Sequence, residues 1–263
     1  MLRWRGLSVI NTDGLRIEYS DTGIGVPVVF VPGLTGSKDW FHYQKSGLSD
    51  RYRIISYNLR RTRFRTNYNI DLLANDLKSL LNALHISSAV IVGHSFGGLV
   101  ALKFAMMHPE RCAALVLCST APSFVDLSED ELLSQMLQGE VKFDNLFDRL
   151  RKMLFGSKRG FEDIDSTSGY NADLDRATLK ARMKILSTTD LIPTLDNIIV
   201  PTLIIVGSGD KPYILSGSQL MYEMIEDSTL EVIEDTDHFV FYNRHDLFNA
   251  TLVEYLTQKV TRL

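Results

Sequence analysis

The six consecutive residues Gly93-His94-Ser95-Phe96-Gly97-Gly98 carry the strongest chemical signal in the sequence. Glycines two before and two after a serine suit a sharp strand-to-helix turn, where a side chain at either flank would clash and the serine backbone is strained. Such a turn lifts the Ser95 hydroxyl above the edge of a sheet and aims the first amides of the next helix at the same spot. A serine hydroxyl is a poor nucleophile without a base. Of the six histidines, His94 lies inside the turn, His85 and His108 follow helical segments as solvated caps would, His42 suits a structural or minor pocket role, and His245 opens the last helix. His238 follows the last apolar strand run and is the candidate base, because loops leaving the carboxyl edge of a sheet are where such sites form. The base needs a carboxylate to hold its tautomer. Asp210 ends the glycine-rich run Gly207-Ser208-Gly209-Asp210 after another strand and is the candidate acid; Asp126 is the alternative, while Asp235 and Asp237 stand too close to His238 in sequence. Charge developing on a carbonyl oxygen needs two amide donors. Phe96, next to Ser95, supplies one, and Leu34 in Pro32-Gly33-Leu34-Thr35-Gly36 is the candidate for the other.

These residues must be positioned by a sheet. Strand runs are predicted at 8–11 and 15–19, flanking the turn Thr12-Asp13-Gly14, and at 28–31, 53–57, 89–92, 113–117, 202–206 and 230–233. Apolar residues at Ile70, Leu73, Leu77, Leu80, Leu81 and Leu84 have helical spacing, and helices are also predicted at 96–107 and 247–257. Apolar strands alternating with helices imply an α/β fold: a mostly parallel central sheet with helices on both faces. Between 123 and 193 the rhythm breaks into helix-forming stretches at 129–137, 146–155 and 174–186. That segment is expected to be a helical cap, inserted into a core made of residues 1–122 and 194–263. Phe143, Phe147 and Met153 of the cap, with Phe239 beside the base, are expected to line an apolar substrate pocket.

The chain has 263 residues, 45% apolar and 23% charged, with a formal net charge of -4. That composition excludes wholesale disorder and disfavours a nucleic-acid binder. The two cysteines, Cys112 and Cys118, make no disulfide framework, no run reads as a signal peptide or membrane span, and a reducing cytoplasmic setting is expected. No Cys/His cluster has metal-ligand spacing and no G-x-G-x-x-G opens a helix, so neither metal nor cofactor is expected. Arg60, Arg61, Arg63 and Arg65 form a cationic run after the strand at 53–57. It reads either as a solvated face or as a source of one guanidinium at the mouth of the site.

From 8 to 260 the chain resembles the α/β-hydrolase fold superfamily, in its capped serine esterase and lactonase branch. The resemblance rests on the Gly93–Gly98 turn, on Phe30-Val31-Pro32-Gly33, on Gly207-Ser208-Gly209-Asp210 and on Asp237-His238-Phe239. It implies hydrolysis of small-molecule carboxylic esters or lactones through an acyl-enzyme on Ser95. Aspartate in place of Ser95 would be the mark of a dehalogenase or epoxide hydrolase. Carbon–carbon bond hydrolases share the triad but tend to carry tryptophan where Phe239 stands. The alternatives left open are carbon–carbon hydrolysis, perhydrolysis by the same triad, and a slow-turnover receptor. Relatives often carry an aspartate, an arginine and a glycine-rich turn where this chain has Asn58 to Arg65.

Overall fold

The computed structural model of the protein describes residues 8–12, 15–35, 37–62, 67–125 and 174–260. The expected hairpin is present as β1 (Ser8–Thr12) and β2 (Leu15–Thr22), antiparallel with Ser8 opposite Tyr19. β3 (Val26–Val31), β4 (Tyr52–Tyr57), β5 (Ala89–His94), β6 (Cys112–Cys118), β7 (Thr202–Gly207) and β8 (Ser228–Ile233) follow. All eight form one sheet in the order β1-β2-β4-β3-β5-β6-β7-β8. β2 pairs antiparallel with β4, and every pairing from β4 across to β8 is parallel. After β3 the chain moves outward to β4, then crosses back to place β5 on the other side of β3. The crevice between β3 and β5 is therefore a topological switch point, where sites form in open parallel sheets.

Successive side chains of the central strands β3, β5, β6 and β7 serve two separate cores, which is why those runs are so strongly apolar. Val29, Val31, Ile91, Leu115, Leu117 and Ile204 face one core. It is covered by α2 (Ile70–Ala83), α3 (Phe96–Met107), α4 (Arg176–Thr188) and α5 (Pro212–Met224). Val28, Phe30, Val90, Val92, Val116 and Ile205 face the other. A 3-10 turn at Lys38–Phe41, α1 (His42–Leu48), α6 (Val240–Asn243) and α7 (His245–Lys259) close that side. The Asn69 side chain caps α2 by accepting from the Leu72 amide at 2.8 Å, and Asp175 caps α4 through the Thr178 amide at 2.8 Å. α3 is apolar nearly all round because it packs in the middle of its layer; its Lys103 reaches out to Asp71 of α2 at 3.1 Å.

Where the helix-rich segment begins and ends, the chain is stitched together. Ser123 and Asp190 form an antiparallel bridge, and the Leu191 amide donates to the Pro122 carbonyl at 3.0 Å. α4 is the helix predicted over 174–186. The helices predicted over 129–137 and 146–155, and with them Phe143, Phe147, Met153 and Asp126, lie outside the described residues. α1, α5 and α6 are not anticipated by the apolar pattern. α5 opens on Pro212 and carries Gly217, which weakens its helical signal. The glycine is required there, because a Cβ on it would stand 2.5 Å from the Ala121 Cβ. His108 also departs from expectation: it is buried, with Nε2 3.1 Å from the Asn75 side-chain oxygen of α2 rather than in solvent.

The two-core arrangement makes a stability contrast. Leu77 is fully buried between α2 and the sheet, whereas Leu247 on α7 is 38% exposed. Leu77→Ala is expected to cost about 3 kcal/mol and Leu247→Ala less than about 0.5 kcal/mol, measured by urea denaturation at unchanged slope. Equal losses would contradict the assignment of α2 to the core.

Candidate active site

Ser95 joins β5 to α3 with φ 54° and ψ -122°, a backbone conformation that L-residues avoid. Three hydrogen bonds hold it there. Its amide donates to the Cys118 carbonyl at 3.0 Å, and its carbonyl accepts from the Gly98 amide at 2.7 Å and from the Thr120 hydroxyl at 2.8 Å. The flanking glycines are required by close approach: a Cβ on Gly93 would stand 2.5 Å from the Gly97 carbonyl oxygen, and one on Gly97 would stand 2.3 Å from that of Val31. The second contact also places the loop leaving β3, which carries Leu34, directly against the turn.

The turn delivers the Ser95 hydroxyl to His238. Ser95 Oγ lies 3.0 Å from His238 Nε2, and His238 Nδ1 lies 3.0 and 3.3 Å from the two Asp210 oxygens. A carboxylate only accepts, so Nδ1 carries the proton and Nε2 is left to accept from the serine. All three side chains are buried. The loops bearing them are tied together at the carboxyl edge of the sheet, where the Gly209 amide donates to the Thr236 carbonyl at 2.8 Å. Burial alone would raise the Asp210 carboxyl. The neighbouring His238, through charge and hydrogen bond, and the Lys211 amide at 2.8 Å overcome this and hold it below its ordinary value. It therefore stays ionised at neutral pH. Asp237 is spent locally, accepting from the Asn243 side chain at 3.0 Å.

Phe96 opens α3, and the first amides of a helix have no acceptor within it. The sequence-derived residues Ser95, Phe96, Asp210 and His238 thus converge, with the Leu34 loop alongside. Phe239 has a different place. Its ring packs edge-on against Trp40 at 6.0 Å and against Phe241 at 5.9 Å, in an aromatic layer beside His238. Met183, another methionine of the helix-rich segment, is buried in the core below α4. Arg60 is committed to Asp76 of α2 through paired hydrogen bonds. Arg63 and Arg65 lie outside the described residues. A groove of about 420 Å³ opens on the flank of α5, between Phe124, Tyr213 and Leu220, and the three hydrogen-bonded side chains are not among its walls. Among the described residues no group of three or more His, Cys, Asp or Glu could hold a metal ion, and no helix is long and apolar enough to cross a membrane.

Two neighbours of the site are not singled out by their spacing. Thr120 is one, gripping the Ser95 carbonyl. His94 is the other. Its Nε2 lies 2.9 Å from the His238 carbonyl, so that nitrogen carries the ring proton and Nδ1 keeps its lone pair toward Gly33. Burial, reinforced by the nearby His238, drives the His94 pKa down to about 3. Between its ordinary value of 6.5 and about 3, the unfolded chain binds a proton that the folded chain refuses. Stability therefore falls as pH drops through that window. His94→Gln keeps a donor for the His238 carbonyl and removes the titration. Its urea midpoint should fall less between pH 7 and pH 5 than the wild-type midpoint does. Parallel falls would show that His94 is protonated in the fold.

Residues 26–244 match a family model described as the alpha/beta hydrolase fold. Among solved structures, an esterase from Exiguobacterium antarcticum superposes with a TM-score of 0.83 at 26% identity, covering 95% of this chain and 99% of that one. A non-heme chloroperoxidase from Streptomyces lividans is 28% identical over 95% of this chain and 99% of its own length. A 2-hydroxy-6-oxononadienedioate/2-hydroxy-6-oxononatrienedioate hydrolase from Dechloromonas aromatica is 27% identical, over 92% of this chain and 91% of its own.

Proposed function

We propose that this chain, which belongs to the alpha/beta hydrolase fold family, is a serine hydrolase that cleaves small-molecule carboxylic esters or lactones through an acyl-enzyme. The observation that carries the reading is the continuous hydrogen-bond path from Ser95 Oγ through the His238 ring to Asp210. Ser95 Oγ attacks the carbonyl carbon while His238 Nε2 takes its proton. Asp210 holds the ring in the required tautomer and stabilises the imidazolium. The amides of Leu34 and Phe96 receive the charge that moves onto the carbonyl oxygen. Collapse expels the alcohol, which leaves with the proton from His238. A water, deprotonated in turn by His238, attacks the acyl-serine and releases the acid. The chemistry uses protein groups alone. Phe143, Phe147 and Met153 remain candidates for the walls of the acyl or alcohol pocket.

Two variants test the assignment of roles. Ser95→Ala should remain folded and lose roughly 10⁴-fold or more in kcat. Asp210→Asn should lose about 10⁴-fold by favouring the wrong imidazole tautomer, while Asp126→Asn stays near wild type. The reverse ranking of the two aspartates would move the acid to the segment after β6. A panel of aryl esters graded by acyl length, with lactones and a carbon–carbon bond substrate included, tests the substrate class. Turnover of the carbon–carbon substrate with inert esters would overturn the ester reading. A stoichiometric burst that then stalls would mark a receptor.

A further inference from the structure

Arg182 is completely buried, although it sits on α4 between the exposed Lys180 and Lys184. Its guanidinium reaches the loops that leave β3 and β4. Nη1 donates to the Leu34 carbonyl at 2.6 Å, and Nη2 donates to the carbonyls of Leu59 and Arg60 at 3.0 and 3.1 Å. Nε lies 3.1 Å from the Tyr68 hydroxyl, which itself donates to the Arg60 carbonyl at 2.9 Å. One rigid fork therefore joins three pieces of chain: the loop leaving β3, the loop leaving β4, and α4.

We propose that Arg182 is a positioning residue for the oxyanion hole, acting through Leu34. The inference rests on the serine-hydrolase reading above, because it assigns the Leu34 amide as an oxyanion donor. Burying a guanidinium is costly, and its charge-assisted bonds recover that cost only where geometry is fixed well. Here the shortest of them grips the carbonyl of the residue that carries the donor. The Lys38 amide, donating to Asn58 Oδ1 at 2.9 Å, pins the far end of the same loop. With both ends fixed, the Leu34 amide is set before substrate arrives, which is the condition under which an oxyanion donor is most effective. None of these Arg182 bonds goes to Ser95, His238 or Asp210, so the role assigned is one of positioning. α4 lies within the 123–193 segment, so the same side chain ties that helix to the loop that carries the donor.

A substrate-independent readout is the rate at which a fluorophosphonate labels Ser95: Oγ bonds to phosphorus, its proton passes to His238 and fluoride leaves. Arg182→Met is expected to label about 10- to 100-fold more slowly than wild type, a fraction of the loss from deleting an oxyanion donor outright. Its kcat on an aryl ester should fall in step, with KM within about twofold. Arg182→Lys should recover part of the rate, since an ammonium still donates to a carbonyl but not in a planar fork. Tyr68→Phe loosens the same network without touching Leu34, so it should lower the melting temperature and leave the labelling rate unchanged. The proposal is overturned if folded Arg182→Met labels at the wild-type rate, or if Tyr68→Phe slows labelling as much. It is also overturned if neither Arg182 variant folds, which would make the residue a requirement of the core. Failure of wild type to label at all would instead sink the serine-hydrolase reading on which it rests.

Discussion

Ser95, one of four non-glycine residues at positive φ among those described, sets the terms for this molecule. Ser95 holds φ 54° at the junction of β5 and α3, a conformation that costs on the order of 1–3 kcal/mol and persists only where the surroundings over-determine it. They do so from three directions. The Cys118 carbonyl of β6 takes the Ser95 amide, Thr120 takes its carbonyl, and the first turn of α3 closes over it. Each of those groups is placed by a parallel strand buried on both faces. Releasing the strain would require moving β5 relative to β6, and the two cores on either side of the sheet resist that.

The electrostatics follow from the same burial. Two ionisable side chains near Ser95 are kept in different states by their partners. Asp210 remains a carboxylate because His238 and the Lys211 amide outweigh its desolvation. His94 remains a neutral ring because burial, reinforced by the neighbouring His238, opposes a charge on it. His94 then does mechanical work, donating to the backbone carbonyl of His238. Arg182 contributes the opposite case: a group that cannot shed its charge is buried anyway, surrounded by backbone carbonyls of the loops that frame the crevice.

The residues legible in the sequence share one property: each follows directly on an apolar strand run. Ser95, Asp210, His238 and Leu34 can be placed at one sheet edge without coordinates, because the strand predictions at 89–92, 202–206, 230–233 and 28–31 survive almost unchanged as β5, β7, β8 and β3. Strand ends shift outward by a residue or two. β5 runs on to His94, for example, because His94 still pairs in register with Cys118. Arg182 is not legible, because within Lys180-Ala181-Arg182-Met183-Lys184 it looks like one more exposed cation of a helix. Its burial depends on where α4 lands, which is a tertiary fact. Thr120 is hidden for a similar reason, since its role is fixed by the crossing of β6 past the turn. Phe239 marks the converse limit. Adjacency to His238 in sequence suggests a pocket wall, and its packing against Trp40, His94 and Phe241 is a tertiary fact that the sequence does not carry.

The central claim is that a covalent acyl group is carried on Ser95, and it can be read directly. Wild-type protein mixed with a short-chain aryl ester, quenched in acid at increasing times and digested, should show the acyl mass on the peptide containing Ser95. That signal should appear with the first equivalent of released phenol and decay once substrate is exhausted. Sustained turnover with an unmodified Ser95 peptide at every time, or an acyl group mapped to another residue, would contradict the account.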